Sequence, residues 1–243
     1  WFDIVWIPLN DFRKVVLKSL SGIHTISNHG RKYLLDSYGY VLNNKIHVSR
    51  LGVSRSLKVT PNDNSMIISS CSSDDPVKRL PLILRSLGEF SENNNIIVIW
   101  LHIGVNKIDF ERKYSSYLDR YPNLKCKIVG VIPNTQVVSI YQKYKPSLFL
   151  NVSESEGVPV SIMEALSCGL PIIATNVGGT SEIVDSHVGL LVDKNFSFDD
   201  ISNAINKLIG NRKQYSKMAF RKWRDVCDKE KNFLEFYSQL KEY

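Results

Sequence analysis

The sequence predicts an α/β fold built on a doubly wound, Rossmann-like parallel sheet, and two observations carry this. From residue 66 to 209, six apolar runs alternate with six helical patterns, the signature of helices covering both faces of a sheet. Runs such as IIVIW (96–100) and LPIIAT (170–175) are continuously apolar. Parallel strands buried on both faces read that way, whereas half-exposed strands alternate.

The elements follow in order. Asp11 to Leu20 places Phe12, Val15, Val16 and Leu20 at helical spacing. Gly22 to Ile26 reads as a short strand. Ser27 or Asn28 can cap a helix running to about Tyr38, with Tyr33, Leu34 and Leu35 inward. Lys45 to Val53 returns as a strand. These pieces form a βαβ unit without a complete sheet of its own. The turn-rich stretch TPNDNS (60–65) marks a boundary. Beyond it strands are expected near 66–71, 96–102, 126–132, 147–152, 171–175 and 189–192. Helices are expected near 79–89, 108–119, 134–144, 158–168, 179–184 and 198–209. The resulting division is a partial N-terminal unit over 1–60, a sheet domain over 61–210, and C-terminal helices over 211–243. In those helices Tyr215, Met218, Ala219, Trp223 and Val226 share a face. Arg212, Lys213, Lys217, Arg221, Lys222 and Arg224 occupy much of the rest. Such a tail either packs on its own domain or lies on a membrane surface.

Composition narrows the class. With 43% hydrophobic and 23% charged residues, the chain is an ordinary globular one. No apolar run approaches the ~18 residues of a membrane span. Trp1 to Leu9 is apolar but has no basic leader, so no signal peptide is expected. A first residue other than Met predicts a fragment or a processed product. Cys71, Cys126, Cys168 and Cys227 are far apart and form no CxxC, which predicts reduced, buried thiols in a cytoplasmic protein rather than a zinc site or disulfide framework. The net charge of +7 is uneven. Residues 1–60 hold nine Lys or Arg against three Asp, while the remainder holds 22 basic and 21 acidic residues. The basic start is either a solvated face or an attraction for anionic lipid or a phosphorylated acceptor.

The chemistry concentrates in Asn151 to Val184. Glu156 lies in a turn and Glu164 inside the following helix. Eight residues make a little over two turns at ~3.6 residues per turn, so both carboxylates can face one cleft. Gly157, Val158, Pro159 and Val160 lie at the helix start, where free N–H groups and the positive dipole end suit a phosphate. A phosphate-bearing sugar fits this pattern. On residue type alone Glu164 would be a solvent-facing helix residue; Glu156, Gly157 and the Gly178-Gly179 turn beside it reverse that expectation. Glu154 falls outside the spacing and is expected at the surface.

The run EGVPVSIMEA followed by GLPIIATNVGG resembles the donor-site motif of retaining glycosyltransferases with the GT-B fold, specifically glycosyltransferase family 4. That family has Glu, seven residues, then Glu, followed by a small-residue helix end, a buried strand and a Gly-Gly turn. The match extends over some thirty residues. It implies that this chain is mainly the donor-binding half, that Glu156 contacts the sugar as the catalytic carboxylate, and that Glu164 contacts a ribose. It also implies that the residues before 60 end the acceptor-side domain, to which the last helix crosses back. The family places an Arg and a Lys in the loop after the first strand of this half, to neutralise a diphosphate. Lys78 matches the Lys. The usual Arg is absent, with Ser70, Cys71 and Ser72 in that region, and Arg79 could supply the second charge. The loop Val131, Ile132, Pro133 is expected near the nucleotide base, with Asn134 capping the next helix. His102 and Gly104 end a strand where the family often has Gly-x-Gly; this chain has GVN, so no strong role is expected. No metal is implied, because dipoles and cations serve instead, and no cofactor beyond a nucleotide-diphosphate sugar as co-substrate.

Neither a P-loop lysine pattern nor Gly-x-Gly-x-x-Gly occurs, which argues against an ATPase and an NAD dehydrogenase. His24, His29, His47 and His187 lack ligand spacing. The near-neutral second part offers no basic, aromatic surface for nucleic acid. The expected function is transfer of a sugar to a glycan or lipid-linked acceptor in cell-surface polysaccharide biosynthesis, in the cytoplasm or at the inner membrane face. The alternative is a non-catalytic nucleotide-sugar-binding module.

Overall fold

The computed structural model describes residues 9–61 and 65–241. The apolar start and the middle of the 60–65 turn lie outside the described residues. Two units are present. The smaller holds α1 (Leu9–Ser19), β1 (Ile23–Thr25), α2 (Asn28–Tyr38) and β2 (Ile46–Val48), with β1 and β2 parallel and in register from Ile23↔Ile46 to Thr25↔Val48. Ser27, not Asn28, caps α2 through a bond from the Gly30 N–H. The strand expected over Lys45 to Val53 stops at Val48. Tyr33 points outward at 58% exposure, whereas Leu35 and Tyr38 are buried, because positions 31, 35 and 38 share the face toward β2.

The larger unit holds β3 (Met66–Cys71), α3 (Leu80–Asn93), β4 (Val98–Ile103), α4 (Lys107–Arg120), β5 (Leu124–Ile128), α5 (Asn134–Tyr144), β6 (Leu148–Asn151), α6 (Val160–Ser167), β7 (Ile172–Thr175), α7 (Thr180–Ile183), β8 (Gly189–Val192) and α8 (Phe198–Gly210). The six strands are parallel in the order β5-β4-β3-β6-β7-β8, so the winding reverses between β3 and β6. Side chains on the two faces of the sheet feed two cores. One gathers Leu80, Ile83, Leu84, Leu87 and Phe90 of α3 with Trp100, Phe110, Ile201 and Ile205. The other gathers Tyr141, Phe149, Ile162, Met163 and Leu166 with Trp223 and Cys227. Each fully buried aliphatic side chain contributes roughly 1.5–3 kcal/mol of transfer free energy.

β5 begins two residues earlier than expected and ends at Ile128. It is an edge strand in which Leu124 and Ile128 face inward while Lys125 and Lys127 face out. The chain then leaves the sheet and bends at Gly130, where φ is +100°, a conformation that favours glycine. Cys168 and Cys227 are buried, but Cys71 and Cys126 are only half-buried.

The C-terminal helices pack on the protein. In α9 (Arg212–Lys222) and the π-helical turn after it, Ala219, Trp223 and Cys227 are buried. The stretch 51–59 runs along this face. Trp223 donates its indole N–H to the Val53 carbonyl at 3.1 Å, Val53 bridges Asp228, and the Val59 N–H bonds the Cys168 carbonyl. The last helix, α10 (Lys229–Leu240), crosses to the smaller unit, where Ser49 bonds Gln239 at 2.7 Å and Phe236 stacks edge-on against His24. Among the described residues no helix is long and apolar enough to cross a membrane.

Candidate functional site

In doubly wound sheets ligands bind beyond the carboxyl ends of the strands where the winding reverses. Here that point is the gap between β3 and β6, and the loops after these strands carry most of the polar groups singled out in the sequence. The β3 loop makes a 3-10 turn, Pro76–Lys78, capped by the Asp75 carboxylate. The β6 loop runs from Val152 to Pro159. The Glu154 N–H bonds the Val77 carbonyl at 2.7 Å, which stitches the two loops together.

Lys78 and Glu156 meet across this seam. Lys78 Nζ lies 2.8 Å from Glu156 Oε1, with the two side chains 25% and 10% exposed. Asn151, at the end of β6, donates from Nδ2 to the same oxygen at 3.3 Å and accepts the Ser153 N–H on its own Oδ1. Asn151 thus belongs to the site, although its sequence position suggested only a strand end. Ser70, Cys71, Ser72, Lys78, Asn151 and Ser153 line a cavity of about 10 Å³ here, the space of one water.

Arg79 does something else. Its backbone is left-handed, with φ 52° and ψ 44°, and it opens α3. Its Nε donates to the Val152 carbonyl at 2.6 Å and one terminal nitrogen to the Lys194 carbonyl at 2.8 Å, while the guanidinium lies 5.5 Å from the Phe196 ring centre. It therefore clamps the loops after β6 and β8, while its other terminal nitrogen is buried without a hydrogen-bond partner among the described residues. Burial lowers its pKa.

Helix α6 starts at Val160 with Pro159 as N-cap and no side-chain cap. Among the described residues the N–H groups of Val160 and Ser161 find no protein acceptor. Gly157, Val158 and Pro159 form the approach to this helix. The Gly178-Gly179 turn seats against them: the Gly179 N–H bonds the Gly157 carbonyl at 2.7 Å. A Cβ on Gly178, whose φ is +55°, would collide with the Glu156 carbonyl. The glycines thus let two loops touch by backbone alone.

Glu164 lies about one turn into α6 and is 7% exposed. No protein donor reaches its carboxylate among the described residues, and burial pushes its pKa up to about 7. A buried, unpaired carboxyl is costly as an anion and suits a ligand that brings hydroxyl donors. Glu154, by contrast, is half exposed and pairs with Lys194 at 2.8 Å. Val131 is 76% exposed in the loop before α5. Pro133, not Asn134, is the N-cap of that helix, because Asn134 already has helical backbone and Pro133 is extended.

Beneath the β3 and β4 ends lies a polar network the sequence did not disclose. The Trp100 indole donates to Ser70 Oγ at 2.7 Å, and Ser70 Oγ bonds His102 Nδ1 at 2.7 Å. His102 is fully buried, and that burial lowers its pKa to about 4, so it is neutral. In sequence the network is only a Trp-x-His on one strand and a serine on another, legible once the register Ser70↔His102 is known.

A concavity of about 590 Å³ lies at the opposite end of the sheet, lined by Ser65, Met66, Ser147 and 209–214. No carboxylate lines it, and the switch point remains the candidate site.

A family model described as glycosyl transferases group 1 matches residues 56–222. The chain is 33% identical over 86 residues to the O-antigen biosynthesis glycosyltransferase WbnH of Escherichia coli, covering 35% of this chain and 25% of that protein. It superposes on sucrose-phosphate synthase from Thermosynechococcus elongatus with TM-score 0.79 at 16% identity, over 96% of this chain and 61% of that one. Anabaena HepE, solved in complex with UDP, superposes with TM-score 0.72 at 18% identity, over 92% and 64%. The chain thus spans a quarter of that curated relative and under two thirds of those structures.

Proposed function

The chain belongs to the glycosyl transferases of group 1, and from that premise we propose that its switch-point cleft binds a nucleotide-diphosphate sugar for retaining transfer to a glycan or lipid-linked acceptor. Cell-surface polysaccharide biosynthesis is the setting, in line with the O-antigen relative. The observation that carries the proposal is the meeting of Lys78 and Glu156 at 2.8 Å beside the uncapped start of α6.

Each group has a task in this scheme. The diphosphate lies against the N–H groups at the start of α6, where the helix dipole favours negative charge. Lys78 turns from Glu156 to the phosphates and stabilises the charge that develops as the sugar leaves. Glu156 then faces the sugar hydroxyls while the anomeric centre gains positive character. Glu164 accepts from the ribose, and the exposed loop 131–133 borders the base. Arg79 holds the loops in place and gives the donor no direct charge. Lys78 and the helix dipole supply positive charge without a metal.

Membrane contact, if made by this chain, falls to α1 rather than to α9, whose apolar face is buried. Phe12, Val15 and Val16 of α1 and Leu20 just after it are exposed next to Arg13, Lys14 and Lys18, a pattern that suits anionic lipid.

The test is calorimetry with UDP, chosen because HepE was solved with it. The 243-residue chain should bind UDP but turn over slowly. Glu164→Ala should weaken binding by about 1.5–3 kcal/mol, the contribution of charge-assisted hydrogen bonds, while melting at an unchanged or higher temperature. Unchanged affinity would remove Glu164 from the site.

A further inference from the structure

Glu182, on α7, gathers donors from the other unit. Its Oε1 accepts the His29 N–H at 3.0 Å. Its Oε2 accepts the Asn28 N–H at 3.1 Å, Asn28 Nδ2 at 3.2 Å and a guanidinium N–H of Arg50 at 2.8 Å. The carboxylate is 14% exposed. Its burial would raise the pKa, but the two backbone N–H groups and Arg50 outweigh that and hold it below the usual carboxylate value.

The place of this contact matters. Asn28 and His29 open α2, so their N–H groups belong to a helix start, which favours an anion. The turn that precedes them rests on the acidic loop. A Cβ on Gly157 would lie 3.4 Å from Ile26 Cδ1, and one on Gly179 would lie 3.1 Å from Ser27 Cβ. The same two glycines are joined by the Gly179–Gly157 backbone bond. The β1–α2 turn, Glu182 and the loop carrying Glu156 are therefore neighbours, although Ile26 and Gly157 are 131 positions apart.

Resting on the donor-site assignment above, we infer that Glu182 is a positioning residue: it fixes the β1–α2 turn over the acidic loop, so that this turn forms the wall of the cleft facing the donor sugar. Glu182 touches neither donor nor acceptor. Its contribution is to hold the two sides of the cleft in one geometry, on which the rate of a positioned reaction depends. Arg50 completes the contact and neutralises a carboxylate that would otherwise be buried beside the cleft.

Hydrogen exchange on the 243-residue chain and on Glu182→Ala tests this, with UDP calorimetry and sugar release from UDP-glucose to water measured alongside. In the variant, the Asn28 and His29 amides should exchange at least tenfold faster, and amides of β3, β4 and β6 should keep their protection. UDP affinity should stay within threefold, while kcat for sugar release falls at least tenfold. Arg50→Met, which removes only the ion pair, should fall between parent and variant. Unchanged exchange at Asn28 and His29, or unchanged kcat, overturns the inference. Protection lost evenly through the six-stranded sheet also overturns it, because Glu182 would then hold the fold rather than the turn. UDP affinity falling in step with kcat would place Glu182 in the donor site, against the inference. A parent chain that does not bind UDP refutes the donor assignment and the wall with it, whatever the exchange at Asn28 and His29 shows of the contact itself.

Discussion

Lys78 and Glu156 are 78 positions apart in sequence and 2.8 Å apart across the seam between β3 and β6. Each satisfies the other in the absence of ligand. On the proposed reading, a phosphate arriving at Lys78 would free Glu156 for the sugar, and the pair would couple the two ends of a nucleotide-diphosphate sugar.

Glu156→Gln should separate these roles. The amide keeps the shape but neither holds Lys78 as an ion pair nor stabilises positive character on the sugar. We expect kcat of the full-length enzyme to fall by about 2–4 kcal/mol of transition-state stabilisation. UDP affinity should hold or rise, because Lys78 is released. Steady-state kinetics beside calorimetry decides it, and a normal kcat would make Glu156 a structural residue.

Glu164 should make stability and binding respond oppositely to pH. Its folded pKa of about 7 lies above the unfolded value of ~4.3. Between these values the folded state holds more protons, so stability falls as pH rises through the window and the loss is complete above about 7. Glu164→Gln should remove that loss, stabilising the ligand-free protein at pH 8 by on the order of one to a few kcal/mol and leaving it unchanged near pH 4. UDP binding by the parent should strengthen over the same rise, because an ionised carboxylate accepts the ribose better. Melting curves and titrations at pH 5, 6, 7 and 8 would show both trends.

Ser70→Ala should cost more than a serine usually does. It removes the acceptor of the Trp100 indole and the partner of His102 Nδ1, both buried. Two orphaned groups at roughly 1–3 kcal/mol each predict a loss of about 2–5 kcal/mol in chemical denaturation. A loss below 1 kcal/mol would mean that the network relaxes around the gap.

Gly178→Ala should damage the site locally. The new methyl cannot coexist with the Glu156 carbonyl, and φ of +55° adds strain. The acidic loop must move, so UDP binding should drop at least tenfold. Circular dichroism should change little, because the sheet and α6 do not depend on that turn.

The larger unit was legible because its signals were local. Alternating runs placed all six strands, each within a few residues of its observed span. The acidic turn at Glu156 and the helix after it were readable because Glu, Gly and that helix are adjacent in sequence. What escaped depended on distant partners. Arg79 looked like a second cation, yet the carbonyls of Val152 and Lys194 that engage it are more than seventy residues away. Asn151, Ser70 and Glu182 each owe their roles to a register or a docking contact with no trace in the local pattern. Tyr33 was misjudged because the short β1–β2 sheet covers only one narrow face of α2.

The stretch 51–59 has a consequence for dissecting the protein. A fragment cut at residue 60, where composition changes, would leave Trp223 without its Val53 acceptor and Cys168 without the Val59 N–H. It would also strip the cover from Cys227 and from the π-helical turn. A fragment beginning near residue 50 would keep these contacts yet lose the β1–α2 turn. A piece for crystallisation or screening should therefore start before Leu51, and limited proteolysis should spare Val53 to Val59 as long as the C-terminal helices remain attached.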